Sequence, residues 1–159
     1  MEIIINSKNW QDAIDITEEV GKVVLELWEK EKKLICNVRE DYRFSEHSEN
    51  HEQKQEGFPN KKSRACFIFC PHTTAGLTIN EGYDKSVMKD VLDGIDELTP
   101  RLDFEHKEGN SPSHIKASLV GSSLLIPIKD GKLELGKWQK IFFLEFDGGK
   151  ERKVRVEII

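Results

Sequence analysis

Apolar residues recur with a helical period in two parts of the chain. Val20, Val23, Val24 and Leu27 follow a Thr-Glu-Glu run that is typical of a helix start, and the pattern predicts a helix from Ile16 to Lys32. A second helix is predicted after Asp84, which is a good capping residue, and it should end at Thr99-Pro100. A third, short helix is predicted from Ser113 to Val120, after a polar loop.

Other parts of the chain alternate with the period of a β-strand. Cys66–Cys70 is apolar on both faces and should be a central strand, while 153–158 alternates as a half-exposed antiparallel strand does. Strands are also predicted at 77–81 and 140–147, and Asp-Gly at 130–131 predicts a hairpin turn. Residues 1–159 are therefore predicted to form one compact α+β domain, with a mixed, largely antiparallel sheet and two main helices.

Residues 36–64 are polar and charged and lack an apolar period. Such a segment buries too little apolar surface to offset its ordering entropy, so it is predicted to be a mobile insertion loop. A lid is the alternative. His47 and His51 lie in it at a spacing that would suit a metal, although a solvated loop is the simpler interpretation.

Composition narrows the class of partner. There are 24 Lys and Arg against 29 Asp and Glu, a net charge of −5, which disfavours nucleic acid and anionic membranes. No apolar run approaches the ~20 residues of a membrane span. The first six residues resemble a strand rather than a signal peptide, and three cysteines without a CxxC spacing suggest a reduced, cytoplasmic location.

Polar groups concentrate directly after the central strand. His72, Thr73 and Thr74 precede a glycine at a strand end, where a turn can offer hydroxyl and N–H groups to an anion. Alternatively, the threonines satisfy local backbone groups. Glu81 shares strand parity with Leu77 and Ile79, so it either points inward and needs a partner or lies exposed after the strand has ended.

Two later clusters also carry candidate chemistry. His106 and His114 flank a loop with acids between them, and with His72 they could converge as a three-histidine metal site, although loop histidines are usually solvated. Trp138 could stack on a flat ring and Gln139 could bond its edge, or Trp138 could simply cover a sheet end. Ser122 belongs to the same group of candidates.

Three long runs resemble the YjbQ-type family: HTTAGLTINE from His72, PSHIKASLVGSSL from Pro112, and the GKWQ turn from Gly136. The resemblance implies a homotrimer with a polar cleft near the subunit contacts. It implies that His72, His106 and His114 are ligands or catalytic groups for a divalent metal, with zinc at the histidines or magnesium carried by diphosphate. It makes Asn80 and Glu81 orienting or acid–base residues. Asn110 and Lys116 join Thr73, Thr74, Ser122, Trp138 and Gln139 as substrate-binding candidates.

The activity associated with that family is secondary thiamine-phosphate synthesis. A hydroxymethylpyrimidine diphosphate is joined to a thiazole phosphate and diphosphate is released, which makes the chain a predicted transferase. Two alternatives stay open at this point: a metal-dependent hydrolase of a small phosphorylated substrate, and a trimeric metabolite-binding protein without turnover.

Overall fold

The computed structural model describes residues 1–43, 64–99 and 102–159, with the backbone alone for 35–43. Its elements are, in chain order, β1 (Glu2–Asn6), β2 (Asp12–Asp15), α1 (Thr17–Arg43), β3 (Arg64–Phe69), β4 (Ala75–Glu81), α2 (Lys85–Leu98), α3 (Ser111–Val120), β5 (Ser123–Lys129), β6 (Lys132–Leu133), β7 (Gln139–Glu145) and β8 (Glu151–Ile158). The predicted α+β class is confirmed.

The strands form two sheets rather than the one mixed sheet that was predicted. The larger sheet has the order β1-β8-β3-β5-β6 and the smaller one β2-β7-β4. Every strand pair in the described residues is antiparallel. β3 is the middle strand of five, so the central position predicted for the Cys66–Cys70 strand is confirmed.

β7 explains why two sheets are needed, because it is apolar on both faces. Ile141 and Phe143 pack into a core with α1 and the inner face of the larger sheet. Phe142 and Leu144 point the other way and pack, with Phe146, against α2 and α3. A strand that is buried on both sides requires a layer on each side, and here these layers are a sheet and a helical layer.

α1 is longer than predicted and corrects the boundary of the insertion loop. It continues past Lys32 to Arg43, through the first residues of the predicted 36–64 loop. The segment from Lys22 to Arg43 contains no Gly or Pro, so nothing in it terminates a helix. Residue 64 already begins β3. The rest of the predicted loop, with His47 and His51, lies outside the described residues.

The other boundaries follow the predicted signals closely. Asp84 caps α2 by accepting a hydrogen bond from the Ser86 N–H at 2.8 Å. α3 begins at Ser111, two residues earlier than predicted, with Pro112 in its first turn. Asp130 (φ 51°) and Gly131 (φ 79°) form the predicted turn between β5 and β6. In the described part of the chain, no helix is both long and apolar enough to cross a bilayer.

The end of α3 packs closely on β4, which sets the position of the histidines. A Cβ at Gly76 would lie 2.8 Å from Val120 Cγ1 and 2.9 Å from the Gly121 carbonyl oxygen. The absence of that Cβ lets the Leu77 N–H donate to the Gly121 carbonyl at 3.0 Å. This contact holds α3 beside the turn that carries His72.

Candidate functional site

Most of the predicted site residues line one of three cavities rather than a single one. His72, Thr73, His114 and Ser122 line a cavity of about 600 Å³, which we call the histidine cavity. Asn80, Glu81, Trp138 and Gln139 line the tryptophan cavity, of about 420 Å³. Asn110 and Lys116 line the lysine cavity, of about 740 Å³.

The histidine and tryptophan cavities lie at opposite ends of β4. The strand runs from Ala75 to Glu81, and six steps of an extended chain span about 20 Å. His72 precedes the strand and Trp138 pairs with its far end through the Gly82 N–H. One copy of the chain therefore does not bring all the predicted groups to one place.

His72 lies where β3 leaves the larger sheet. The last β3 pair is Phe69 with Arg155, and two residues further along β8 the Lys153 N–H donates to His72 Nε2 at 2.8 Å. The imidazole thus replaces a strand carbonyl as the acceptor. Burial lowers the pKa of His72, and the nearby Arg152 charge lowers it further. The ring is therefore neutral near pH 7, with its proton on Nδ1.

His114 reaches the histidine cavity from α3, and His106 lies beside it. The two rings meet edge to face with their centroids 5.4 Å apart. His106 Nε2 is also 3.9 Å from a Glu108 carboxylate oxygen. His72 and His114 share one cavity, while His106 contacts only the second of them through this ring contact.

His72 and His114 line the histidine cavity, and His106 does not line it. Among the described residues, no group of three or more His, Cys, Asp or Glu side chains is arranged to hold an ion. His72 Nε2 is occupied by Lys153, and its Nδ1 carries the proton. Cys70 also lines the cavity, but burial raises the pKa of its thiol, which keeps it protonated and a poor ligand.

The tryptophan cavity exposes an aromatic pair. Trp138 is 56% exposed and Tyr83 is 86% exposed, with ring centroids 6.4 Å apart and nearly parallel planes. More than half of the surface of each side chain is therefore open to solvent. Glu81 is half-buried at the end of β4, which lies between the two predicted alternatives. The side-chain oxygens of Asn80 and Gln139 accept hydrogen bonds from the Glu81 and Gly136 N–H groups.

Lys116 is committed to an ion pair away from the histidines. It is buried and pairs with Asp96, which also accepts two hydrogen bonds from Gln11 at 2.8 and 3.0 Å. Asn110 donates to Asp147 at 3.3 Å. The prediction that Lys116 assists the same site as His72 does not hold within one copy.

A family model described as UPF0047 protein YjbQ-like matches residues 53–159, which is more than half of the chain. The chain belongs to the YjbQ/UPF0047 family. The matched residues include His72, Lys116 and Trp138, which line the three cavities. The predicted resemblance is confirmed. It says nothing by itself about a reaction.

Relatives in this YjbQ/UPF0047 family come from distant organisms. A UPF0047 protein of Methanocaldococcus jannaschii is 54% identical over 99 residues, covering 62% of this chain and 72% of the relative. YugU of Bacillus subtilis is 47% identical over 100 residues, covering 61% and 75%. A Clostridium acetobutylicum family member has a crystal structure with a TM-score of 0.74 and 40% identity, over 100% of this chain and 99% of that one. The crystal structure of a Sulfolobus solfataricus protein of unknown function has a TM-score of 0.75 and 27% sequence identity, over 99% of this chain and 94% of that one.

Beneath the turn that carries His72, this YjbQ/UPF0047 chain has a buried ion pair that was not predicted from its sequence. Arg152 donates to both carboxylate oxygens of Glu145, each at 2.6 Å, and to the Thr74 hydroxyl at 3.0 Å. Thr74 is therefore buried and committed to the scaffold rather than open to a ligand. Strand parity was the available signal, since Glu145 lies on the same strand face as Ile141 and Phe143, and Arg152 on the same face as Val154.

Proposed function

We propose that this YjbQ/UPF0047 chain is a small-molecule transferase that binds a phosphorylated substrate in the histidine cavity. The reaction is the one that the family resemblance implies: a hydroxymethylpyrimidine diphosphate joins a thiazole phosphate and diphosphate leaves. The observation that carries the proposal is the meeting of His72 and His114 with the Thr73, Ser118 and Ser122 hydroxyls around one cavity of about 600 Å³. That volume is in the range of small-ligand sites.

The chemistry requires stabilisation of a departing anion. As the bond from the methylene carbon to the diphosphate oxygen breaks, the electron pair stays on oxygen and negative charge builds there. Preorganised hydrogen-bond donors are the usual protein contribution to such a step. The neutral His72 ring and the Thr73 and Ser122 hydroxyls are donors of this kind, whereas the Ser118 hydroxyl already donates to the His114 carbonyl at 2.9 Å. Magnesium enters as part of the diphosphate substrate.

A homotrimer is part of the proposal because the candidate groups lie at two ends of β4. Assembly would place the tryptophan cavity of one copy near the histidine cavity of another, and it would add Asn80, Glu81 and Trp138 to the site. The exposed Tyr83–Trp138 pair supports this idea, since exposed aromatic pairs are typical of ligand or subunit contacts. A cytoplasmic location, with no nucleic-acid or membrane partner, stays a prediction.

Synthase turnover of the purified protein tests the proposal. The two phosphorylated substrates are supplied with Mg²⁺, and product and diphosphate are both measured. His72→Ala should lower kcat/KM by about a hundredfold or more, the range for a group that acts on charge or protons in the transition state. Lys89→Ala, on the exposed face of α2, is the control and should leave turnover unchanged.

The other outcomes of this assay separate the alternatives. Release of phosphate from one substrate without joining would make the chain a hydrolase. Tight binding of either substrate without any turnover would make it a metabolite-binding protein. Unchanged synthase activity in His72→Ala would show that the histidine cavity is not the site. Sedimentation of the same samples gives the number of subunits.

A further inference from the structure

We infer that His72 serves the histidine cavity as a hydrogen-bond donor to an anionic oxygen of the ligand, through Nδ1–H, and not as a metal ligand. The identity of the ligand rests on the proposed function. The Nδ1–H tautomer of the ring does not, because it follows from the contact with Lys153. It disagrees with the metal-ligand role that the family resemblance implied as one of two alternatives for His72.

The tautomer follows from one backbone contact. The Lys153 N–H can only donate, so the Nε2 atom that faces it at 2.8 Å must be unprotonated. A neutral imidazole then carries its single proton on Nδ1. Binding of a metal would require either loss of the Lys153 hydrogen bond at Nε2 or removal of the Nδ1 proton. Lys153 is held in place by its strand pairing with Ile4, so the contact is part of the sheet.

Three backbone carbonyls of the cavity wall already accept hydrogen bonds. The carbonyl oxygen of Gly121 accepts from the Leu77 N–H at 3.0 Å, and that of Ser122 accepts from the Cys70 N–H at 2.8 Å. The Ala117 carbonyl accepts from the Gly121 N–H at 2.9 Å.

Several side chains of the cavity wall can donate hydrogen bonds to a ligand. The described residues that line the cavity include no Asp or Glu, and they include the hydroxyl groups of Thr73 and Ser122 beside the two imidazoles. A divalent ion needs lone pairs from several ligands, whereas a phosphoryl group offers several acceptor oxygens. The matching ligand is therefore a phosphate or diphosphate group.

The ring state can be measured directly on the wild-type protein. Long-range ¹H–¹⁵N correlation spectra of protein labelled in histidine distinguish the Nδ1–H tautomer, the Nε2–H tautomer and a metal-bound nitrogen. We expect the Nδ1–H pattern for His72 at pH 7.5, unchanged by an equimolar addition of Zn²⁺. An Nε2–H tautomer, or a zinc-dependent shift of either His72 nitrogen, would overturn the assignment.

Binding of inorganic diphosphate tests the donor role with matched substitutions. His72→Asn keeps an N–H near the position of Nδ1, whereas His72→Gln places its amide near Nε2 and His72→Ala keeps neither. We expect the Kd to rise about tenfold or more in the Ala and Gln variants, as for loss of one hydrogen bond to a charged group, and less in the Asn variant. Equal losses in all three would refute the Nδ1 role.

The two measurements also keep this inference separate from the proposed function. If the protein binds diphosphate through His72 but has no synthase activity, the inference stands and the proposed reaction fails. If synthase activity is present but His72 has the other tautomer or binds zinc, the reaction stands and the inference fails. Circular dichroism identifies any variant that does not fold. In that case the ¹H–¹⁵N correlation spectra of the wild-type protein decide the tautomer of His72 without the variants.

Discussion

Replacement of Arg152 by Met isolates the contribution of the buried ion pair beneath the histidine turn. The Glu145 side chain is fully buried and Arg152 is 9% exposed, so the carboxylate loses its partner without gaining water. Breaking such a pair costs about 3–5 kcal/mol. Glu145 keeps two backbone N–H donors, from Phe146 at 3.2 Å and Asp147 at 2.9 Å, which places the expected loss near the lower value.

Thermal and urea unfolding of Arg152→Met measure this loss. For a chain of this length, about 3 kcal/mol lowers Tm by about 6–12 °C. The double variant Glu145→Met/Arg152→Met should recover much of the loss, because apolar groups of similar size often replace a buried pair without cost. Lys22→Ala, which breaks the exposed Glu18–Lys22 pair, is the control and should leave Tm unchanged.

Two results would contradict this expectation: unfolding of Arg152→Met at the wild-type temperature, or a double variant that is less stable than the single one. The first result would mean that the carboxylate finds water or takes up a proton at little cost. The second would mean that the packing of the two stems, rather than the charge pair, dominates. If Arg152→Met keeps the wild-type Tm but its ¹H–¹⁵N correlation spectra show that the His72–Lys153 hydrogen bond is lost, Arg152 only orients the turn that carries His72.

Two further predictions concern glycines and pH. Gly131→Ala should destabilise the fold by about 1–3 kcal/mol, because φ is 79° and the new Cβ would lie 2.8 Å from Trp28 Cδ1. Gly94→Ala in α2 meets nothing within 4 Å and should stabilise the fold by about 0.5–1 kcal/mol. Urea unfolding compares the two variants, and equal effects on the free energy of unfolding would contradict the prediction. Burial lowers the pKa of His72 in the folded protein below its unfolded value of about 6.5. The contribution of this histidine to stability is therefore fully present above pH ~6.5, and it is lost as the pH falls through the folded-state pKa. A histidine titration followed by NMR should therefore give His72 a lower pKa than a model peptide, and a raised value would refute the assigned contact.

The strands and their faces were predictable because alternation reports burial directly. Phe142 and Leu144 were placed on one face of β7, with Ile141 and Phe143 on the other, and the two cores confirm this division. The same rule applied to Glu145 and Arg152 would have paired them, since both share parity with core residues. α1 extends beyond its predicted end because the polar composition after Ile35 does not by itself end a helix, and no Gly or Pro occurs between Ile35 and Arg43.

Proximity in sequence was a poor guide to the candidate site. His72 and Glu81 are nine residues apart, but the strand between them is extended and carries them to opposite ends. His114 and Lys116 are two residues apart on α3, and a helix turns by about 200° over that distance. They therefore line different cavities.

The double-sided burial of β7 has a consequence for the way the protein unfolds. The same seven residues form one wall of each apolar core, so neither core can open while the other stays intact. Unfolding should be cooperative across both sheets and α2, without a stable intermediate that keeps half of the molecule. Amide protons of β7 should then exchange with solvent only through the fully unfolded chain.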